Sequence, residues 1–169
     1  MATRVGIALG SNLGHRLTHL KVARDMLRKL MPDDAHYKQA PVYQSEPFDC
    51  PDNSPDFYNT VLELDYIGRP HELLQYTQGI EFHLGRGIVY QANAPRIIDV
   101  DILYFGHEIV DGGILTLPHP ELTNRRFVLQ PLADIRPDFI LPRDTATIAE
   151  HLHHLDSGEP PLTLVQSDW

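Results

Sequence analysis

Hydrophobic and polar positions alternate from Arg4 to Leu9. Val5, Ile7 and Leu9 fall on one side and Arg4, Gly6 and Ala8 on the other, which predicts a short strand. Gly10-Ser11-Asn12 turns the chain. Leu20, Ala23, Leu27 and Leu30 then recur at steps of three and four, which predicts an amphipathic helix ending before Pro32. A second extended stretch runs from His36 to Gln44. Residues 45–56, with three prolines and four acidic side chains, read as a surface loop. Phe57 to Tyr66 alternates as a strand, and Pro70 opens a second helix where its missing N–H costs little. That helix has a core face of Leu73, Thr77, Ile80 and Leu84, and Gly85 stops it.

After a loop over 86–95, Arg96 to Phe105 (RIIDVDILYF) is the clearest strand in the chain. A hairpin follows through Gly106, Ile109, Val110 and Gly112-Gly113. Glu121 to Ile135 reads as partly helical, and Thr147 to Leu155 as a last helix. The order β-α-β-β-α-β predicts an α+β, ferredoxin-like sandwich. It has a mainly antiparallel sheet, helices on its faces, and a C-terminal hairpin and helix extension. No internal repeat is evident.

The 169 residues fit a single domain, 1–169. With 14 basic and 23 acidic residues, the formal charge is −9, which argues against a nucleic-acid groove. A phosphate site in such a chain has to be built locally, from clustered arginines or from metal. One cysteine, Cys50, permits neither an internal disulfide nor a Cys-based zinc site. No signal-peptide core and no apolar run near 18 residues is present, so no membrane association is expected. These features fit the cytoplasm.

Strand geometry places Asp99 and Asp101 on one face with Cα atoms roughly 7 Å apart. A solvated strand edge explains that spacing as well as a metal site does. Ile97 and Leu103 share the face, however, so both faces of this strand read as apolar. Two carboxylates there repel and lose hydration unless a cation compensates. Mg²⁺, which pairs one or two carboxylates with substrate phosphates, is the leading candidate. An ion pair with Arg96 is the competing one. Gln78 and Glu81 project side by side from the second helix, as an exposed polar face or as part of a site. Arg86 and Arg96 suit phosphate oxygens through paired N–H donors. His119 in Pro118-His119-Pro120 reads equally as a phosphate contact and as a turn residue. His151, His153 and His154 lack a ligand spacing and read as a solvated helix face. Neither a P-loop, nor a dinucleotide fingerprint, nor a G-x-S-x-G elbow, nor H-E-x-x-H is present.

The sequence resembles the 6-hydroxymethyl-7,8-dihydropterin pyrophosphokinase family of folate biosynthesis. The resemblance is carried by residues 8–14 (ALGSNLG), 56–59 (DFYN), Gln78, Ile80-Glu81, and 84–86 (LGR). It continues in 95–106 (PRIIDVDILYFG), 117–120 (LPHP) and 124–127 (NRRF), and spans about 4–142. It implies a ferredoxin-like fold and attack of the pterin hydroxymethyl oxygen on the β-phosphorus of ATP, releasing AMP. By resemblance, Asp99 and Asp101 hold two Mg²⁺ ions that enter with ATP. Arg86 and Arg96 contact phosphates and, with the two aspartates, form the catalytic group. His119 and Arg125 lie on the other side of the nucleotide. Gln78 and Glu81 shape its pocket, and Ile102, Leu115 and Thr116 lie near adenine. Phe57 and Phe127 sandwich the pterin, with Asn59 at its polar edge and Ser45, Pro47 and Phe48 nearby. Such a transfer requires no strongly basic group, so Asp101 or a metal-bound group suffices, and the sequence leaves the proton's destination open. A monomer acting on two small molecules, ATP and the pterin, is expected.

The chain departs from the family in residues 87–94, which hold no Lys, Arg or Trp, and at Pro120 and Ile114. Tyr90 is the aromatic available to replace the Trp. A metal-dependent phosphohydrolase and a non-catalytic ferredoxin-like binding module are the rival readings. The first has no use for an aromatic pair spaced for a pterin, and the second tolerates the aspartates without metal.

Overall fold

A computed structural model describes residues 1–47, 55–85 and 97–169. Strands β1 (Thr3–Ser11), β2 (Tyr37–Gln39), β3 (Val42–Ser45), β4 (Phe57–Tyr66), β5 (Asp99–Phe105) and β8 (Thr163–Gln166) form one antiparallel sheet. Its order is β5-β1-β4-β3-β8, with β2 also paired to β4. β6 (Val110–Asp111) and β7 (Thr116–Leu117) make a separate hairpin. The helices are α1 (Arg16–Arg28), α2 (Pro70–His83), α3 (Arg126–Ile135) and α4 (Ile148–His154), with a 3₁₀ turn over Leu122–Asn124. The predicted β-α-β-β-α-β ferredoxin-like order is present.

The predicted stretch His36–Gln44 is two strands rather than one. The Ala40 N–H still donates to Val61 O (2.9 Å) in register with β2, but Pro41 has no N–H to continue the ladder, and β3 pairs with β4 one residue out of that register. Leu30 lies beyond the end of α1, half-buried against the core. The strand predicted from Arg96 begins at Asp99 among the described residues, and Arg96 lies outside them. The loop predicted over 45–56 is described only at its ends, where Ser45 closes β3. β8 has no counterpart in the sequence reading.

Each face of the sheet carries its own core. On the first, Val5, Ile7 and Leu9 of β1 and Val100, Ile102 and Phe105 of β5 meet Leu20, Ala23 and Leu27 of α1. Leu73 and Ile80 of α2 join the same cluster. On the second, Val61, Leu103 and Tyr104 pack with Val128, Leu129 and Leu132 of α3 and Ile148 of α4. Strict alternation would put Leu103 and Tyr104 on opposite faces. A bulge in β5 prevents this: Ile7 pairs with Ile102 and Gly6 with Tyr104, so Leu103 is an extra residue and both side chains join the second core.

The second face also buries Glu63 of β4, with no solvent exposure. Its carboxylate accepts from Tyr104 Oη and Arg136 Nη1, and meets His36 Nε2 at 2.8 Å. Tyr104 lies flat on Gly6, where an added Cβ would come within 2.3 Å of the ring. Only glycine fits there.

Candidate active site

The second face continues past its apolar cluster to the end of the sheet where β5 begins. Register fixes which side chains share it, because residues directly opposite in an antiparallel pair point the same way. Asp99 pairs with Gly10 of β1, Gly10 with Asn59 of β4, and Asn59 with Tyr43 of β3. One step further in, Asp101 pairs with Ala8 and Ala8 with Val61. One step further out, Phe57 pairs with Ser45. A single row therefore runs from two carboxylates, across a glycine, to an amide and an aromatic ring.

Gly10 is the low point of that row. A Cβ added there would lie 3.0 Å from Asn59 Oδ1 and 3.9 Å from Phe57 Cδ1. Asn59 is buried, and its Nδ2 donates to Ser45 Oγ at 2.6 Å. Its carbonyl oxygen thus faces the gap that Gly10 leaves open. Tyr43 Oη donates to Asp134 at 2.5 Å, and burial together with that bond pushes the phenol up to about 12. The strand ends flanking residues 48–54 are tied down. Asn12 Nδ2 donates to Pro55 O (3.4 Å), Arg16 Nη1 to Asp56 O (2.7 Å) and Gln44 Nε2 to the Asp56 carboxylate (2.6 Å).

The expectation that both faces of β5 are apolar around the aspartates is corrected. Asp101 is exposed and Asp99 half-buried, while Val100 and Ile102 are buried on the opposite side. The apolar neighbour Leu103 belongs to the second core, which stops short of the carboxylates.

His119 follows β7 and sits beside β5, since its backbone N–H donates to Leu103 O at 2.8 Å. Its Nδ1 accepts from the N–H of Glu121 at 3.1 Å, which leaves the ring proton on Nε2. Burial lowers its basicity, the Asp101 charge opposes that, and Arg125 adds to it. A mostly neutral imidazole thus lies within electrostatic reach of Asp101 and Arg125. The Arg125 guanidinium stands 5.6 Å from the ring centroid of Phe127, the second residue of α3.

Other predicted residues do not join this row. Glu81 is buried, and its Oε2 accepts from Val100 N at 3.0 Å, so it anchors α2 to β5 from the first face. Gln78 is exposed. Ile102 and Leu115 belong to the first core, while Thr116 is exposed. Pro47 is half-buried. Arg86, Arg96, Phe48 and Tyr90 lie outside the described residues. The ends that flank 86–96 meet: Gly85, at φ +97°, would bring a Cβ within 3.1 Å of Ile97 Cδ1. Of the three tail histidines, His153 and His154 are exposed as expected, but His151 binds Asp144 at 2.6 Å. An open cavity of about 460 Å³ is lined by residues such as Lys38, His107 and Arg136, and contains none of the predicted site residues.

Among the described residues, no cluster of three or more Asp, Glu, His or Cys side chains could hold a metal alone. Two hard carboxylates on an accessible face are what Mg²⁺ takes from a protein when phosphates complete its coordination. The donor set fits that ion. Among the described residues, no helix is long and apolar enough to cross a membrane.

Comparison with known proteins identifies the family. Residues 6–137 match the model of the family described as 7,8-dihydro-6-hydroxymethylpterin-pyrophosphokinase. A 2-amino-4-hydroxy-6-hydroxymethyldihydropteridine pyrophosphokinase of Pseudomonas aeruginosa is 39% identical over 84% of this chain and 86% of its own. A Synechocystis protein of the same name is 34% identical over 89% of this chain and 75% of its own. A folic acid synthesis protein of Pneumocystis carinii is 37% identical, but this chain spans only 20% of its length. Among solved structures, a Plasmodium falciparum HPPK-DHPS superposes with a TM-score of 0.69 at 14% identity. That match covers 90% of this chain and 44% of the other, and shows the shared fold.

Proposed function

Because the chain belongs to the 7,8-dihydro-6-hydroxymethylpterin-pyrophosphokinase family, we propose that it moves a diphosphoryl group from ATP to 6-hydroxymethyl-7,8-dihydropterin. Membership makes it a pyrophosphokinase of folate synthesis. ATP as donor, magnesium and the residue roles are our reading. The observation that carries it is the in-register row from Asp99 and Asp101 through Gly10 to Asn59 and Phe57.

The pterin lies with its polar edge on Asn59, whose orientation Ser45 fixes, and its ring against Phe57 and Phe127. Pro47 and Phe48 border the same end. ATP lies toward β5, with adenine near Ile102, Leu115 and Thr116, and with Gln78 and Glu81 shaping the α2 side. Asp99 and Asp101 are the residues that would hold two Mg²⁺ ions, which supply charge neutralisation of the phosphates when bound. His119, through Nε2–H, and Arg125 donate to phosphate oxygens, and Arg86 and Arg96 are assigned the same role. The pterin alcohol oxygen forms a bond to the β-phosphorus as the bond to the α–β bridging oxygen breaks. AMP leaves with that oxygen, and the alcohol proton passes to Asp101 or to water. Such a transfer depends on alignment and charge more than on covalent help from the protein. A cytoplasmic monomer is part of the same reading, supported by the single cysteine and the acidic charge.

The test is incubation with ATP, Mg²⁺ and the hydroxymethyl dihydropterin, followed by separation of nucleotides. AMP and pterin diphosphate in equal amounts are expected. Free phosphate without a pterin product would instead identify a phosphohydrolase.

A further inference from the structure

Helix α3 starts where its own sequence gives it little support. Arg125, in the N-cap position at φ −123° and ψ 118°, supplies no side-chain acceptor, and the first turn contains no acid. Arg126 adds positive charge where the helix dipole is already positive. Unsatisfied N–H groups at such an end normally require a cap.

The cap comes from 33 residues downstream. Both carboxylate oxygens of Glu159 accept from the Arg126 backbone N–H, at 3.2 Å each. The Arg126 guanidinium reaches back to Leu155 O at 3.5 Å, and the Glu159 N–H donates to Ser157 Oγ at 3.3 Å. Beyond Glu159 the chain is held again, because β8 pairs with β3. The Trp169 indole donates to Ala40 O at 2.8 Å, and the Trp169 carbonyl accepts from Gln39 Nε2 at 2.8 Å and from Arg24. Glu159 is therefore fixed by attachments on both sides. The turn it caps carries Arg125 and Phe127, to which the proposed function assigns the phosphates and the pterin ring.

We infer that Glu159 is a positioning residue for the reaction: by capping α3 from a distant segment it holds Phe127 and Arg125 in the geometry that receives the pterin and the phosphates. This inference rests on the pyrophosphokinase reading of the site. Its carboxylate meets backbone rather than substrate, so it acts through those two residues.

The test pairs steady-state kinetics with amide exchange for Glu159→Ala and for Glu159→Gln, which keeps one acceptor oxygen and guards against a variant that fails to fold. Loss of one cap should speed exchange of the Arg126 amide and raise the pterin KM about fivefold in the alanine variant, with glutamine intermediate. kcat should stay within about twofold, the pattern of lost positioning in the bound state. Faster exchange with an unmoved pterin KM would overturn the inference and leave Glu159 a purely structural cap. Unchanged exchange in both variants would overturn the cap itself. A wild-type protein that makes no pterin diphosphate would overturn the underlying reading, which the exchange measurement does not touch.

Discussion

Gly10 matters for the side chain it lacks. A methyl group there meets Asn59 Oδ1 at 3.0 Å, closer than ordinary contact, and Asn59 can yield only by leaving Ser45 Oγ. Gly10→Ala should therefore raise the pterin KM about tenfold, the value of one well-placed hydrogen bond, while the ATP KM stays put. An unmoved pterin KM in steady-state assays would remove Asn59 from the pterin site. At this scale the sequence was partly legible. Alternation alone placed Asp99 and Asp101 on one face, since a period of two needs only local geometry. Whether that face is wet depends on where α3 and α4 end, and no spacing near Asp99 encodes it. Glu81 illustrates the same limit: its spacing from Gln78 is local, but its burial against Val100 N is tertiary. Glu159 capping Arg126 is further still from anything a window of sequence contains.

At the level of elements, β1, β4, α2 and β5 were readable from the local recurrence of their apolar residues, although the bulge at Leu103 and the continuous burial within β4 come from tertiary pairing. β8 was not: it is four residues long, and its partner β3 lies near the other end of the chain. Helix α4 carries a complete capping box, with Thr147 Oγ1 accepting from Glu150 N at 3.1 Å and the Glu150 carboxylate returning to Thr147 N. Thr147→Ala should cost about 1 kcal/mol, read as a lower urea midpoint with an unchanged slope. The turn before α4 is also pH-sensitive. Burial raises the Asp144 carboxyl, but N–H bonds from Ala146 and Thr145 and the contact with His151 outweigh it, so it sits below its ordinary 3.8. A depressed carboxyl stabilises the fold above that value and loses the contribution as pH falls through its folded-state value. Asp144→Asn should thus lose stability at neutral pH and converge with wild type in acid. A constant difference across the titration would contradict this.

Across the whole molecule, Glu63 ties four parts together: its own strand β4, Tyr104 on β5, Arg136 beyond the end of α3 and His36 ahead of β2. In the sequence it is one polar residue in an alternating strand, and its three partners are dispersed along the chain. Removing one member of such a buried set strands the others, so Glu63→Ala should lose about 3–5 kcal/mol by chemical denaturation. A loss below about 1 kcal/mol would mean water already reaches the site. The chain's net charge of −9 places the whole burden of receiving a polyphosphate on local features: a few cationic donors and whatever the aspartates hold. That burden is the centre of the account, and a crystal grown with Mg²⁺ and a non-hydrolysable ATP analogue tests it most directly. Cation density should join the carboxylates of Asp99 and Asp101 to the phosphates. Carboxylates paired only with guanidinium groups, with the phosphates bound elsewhere, would contradict it.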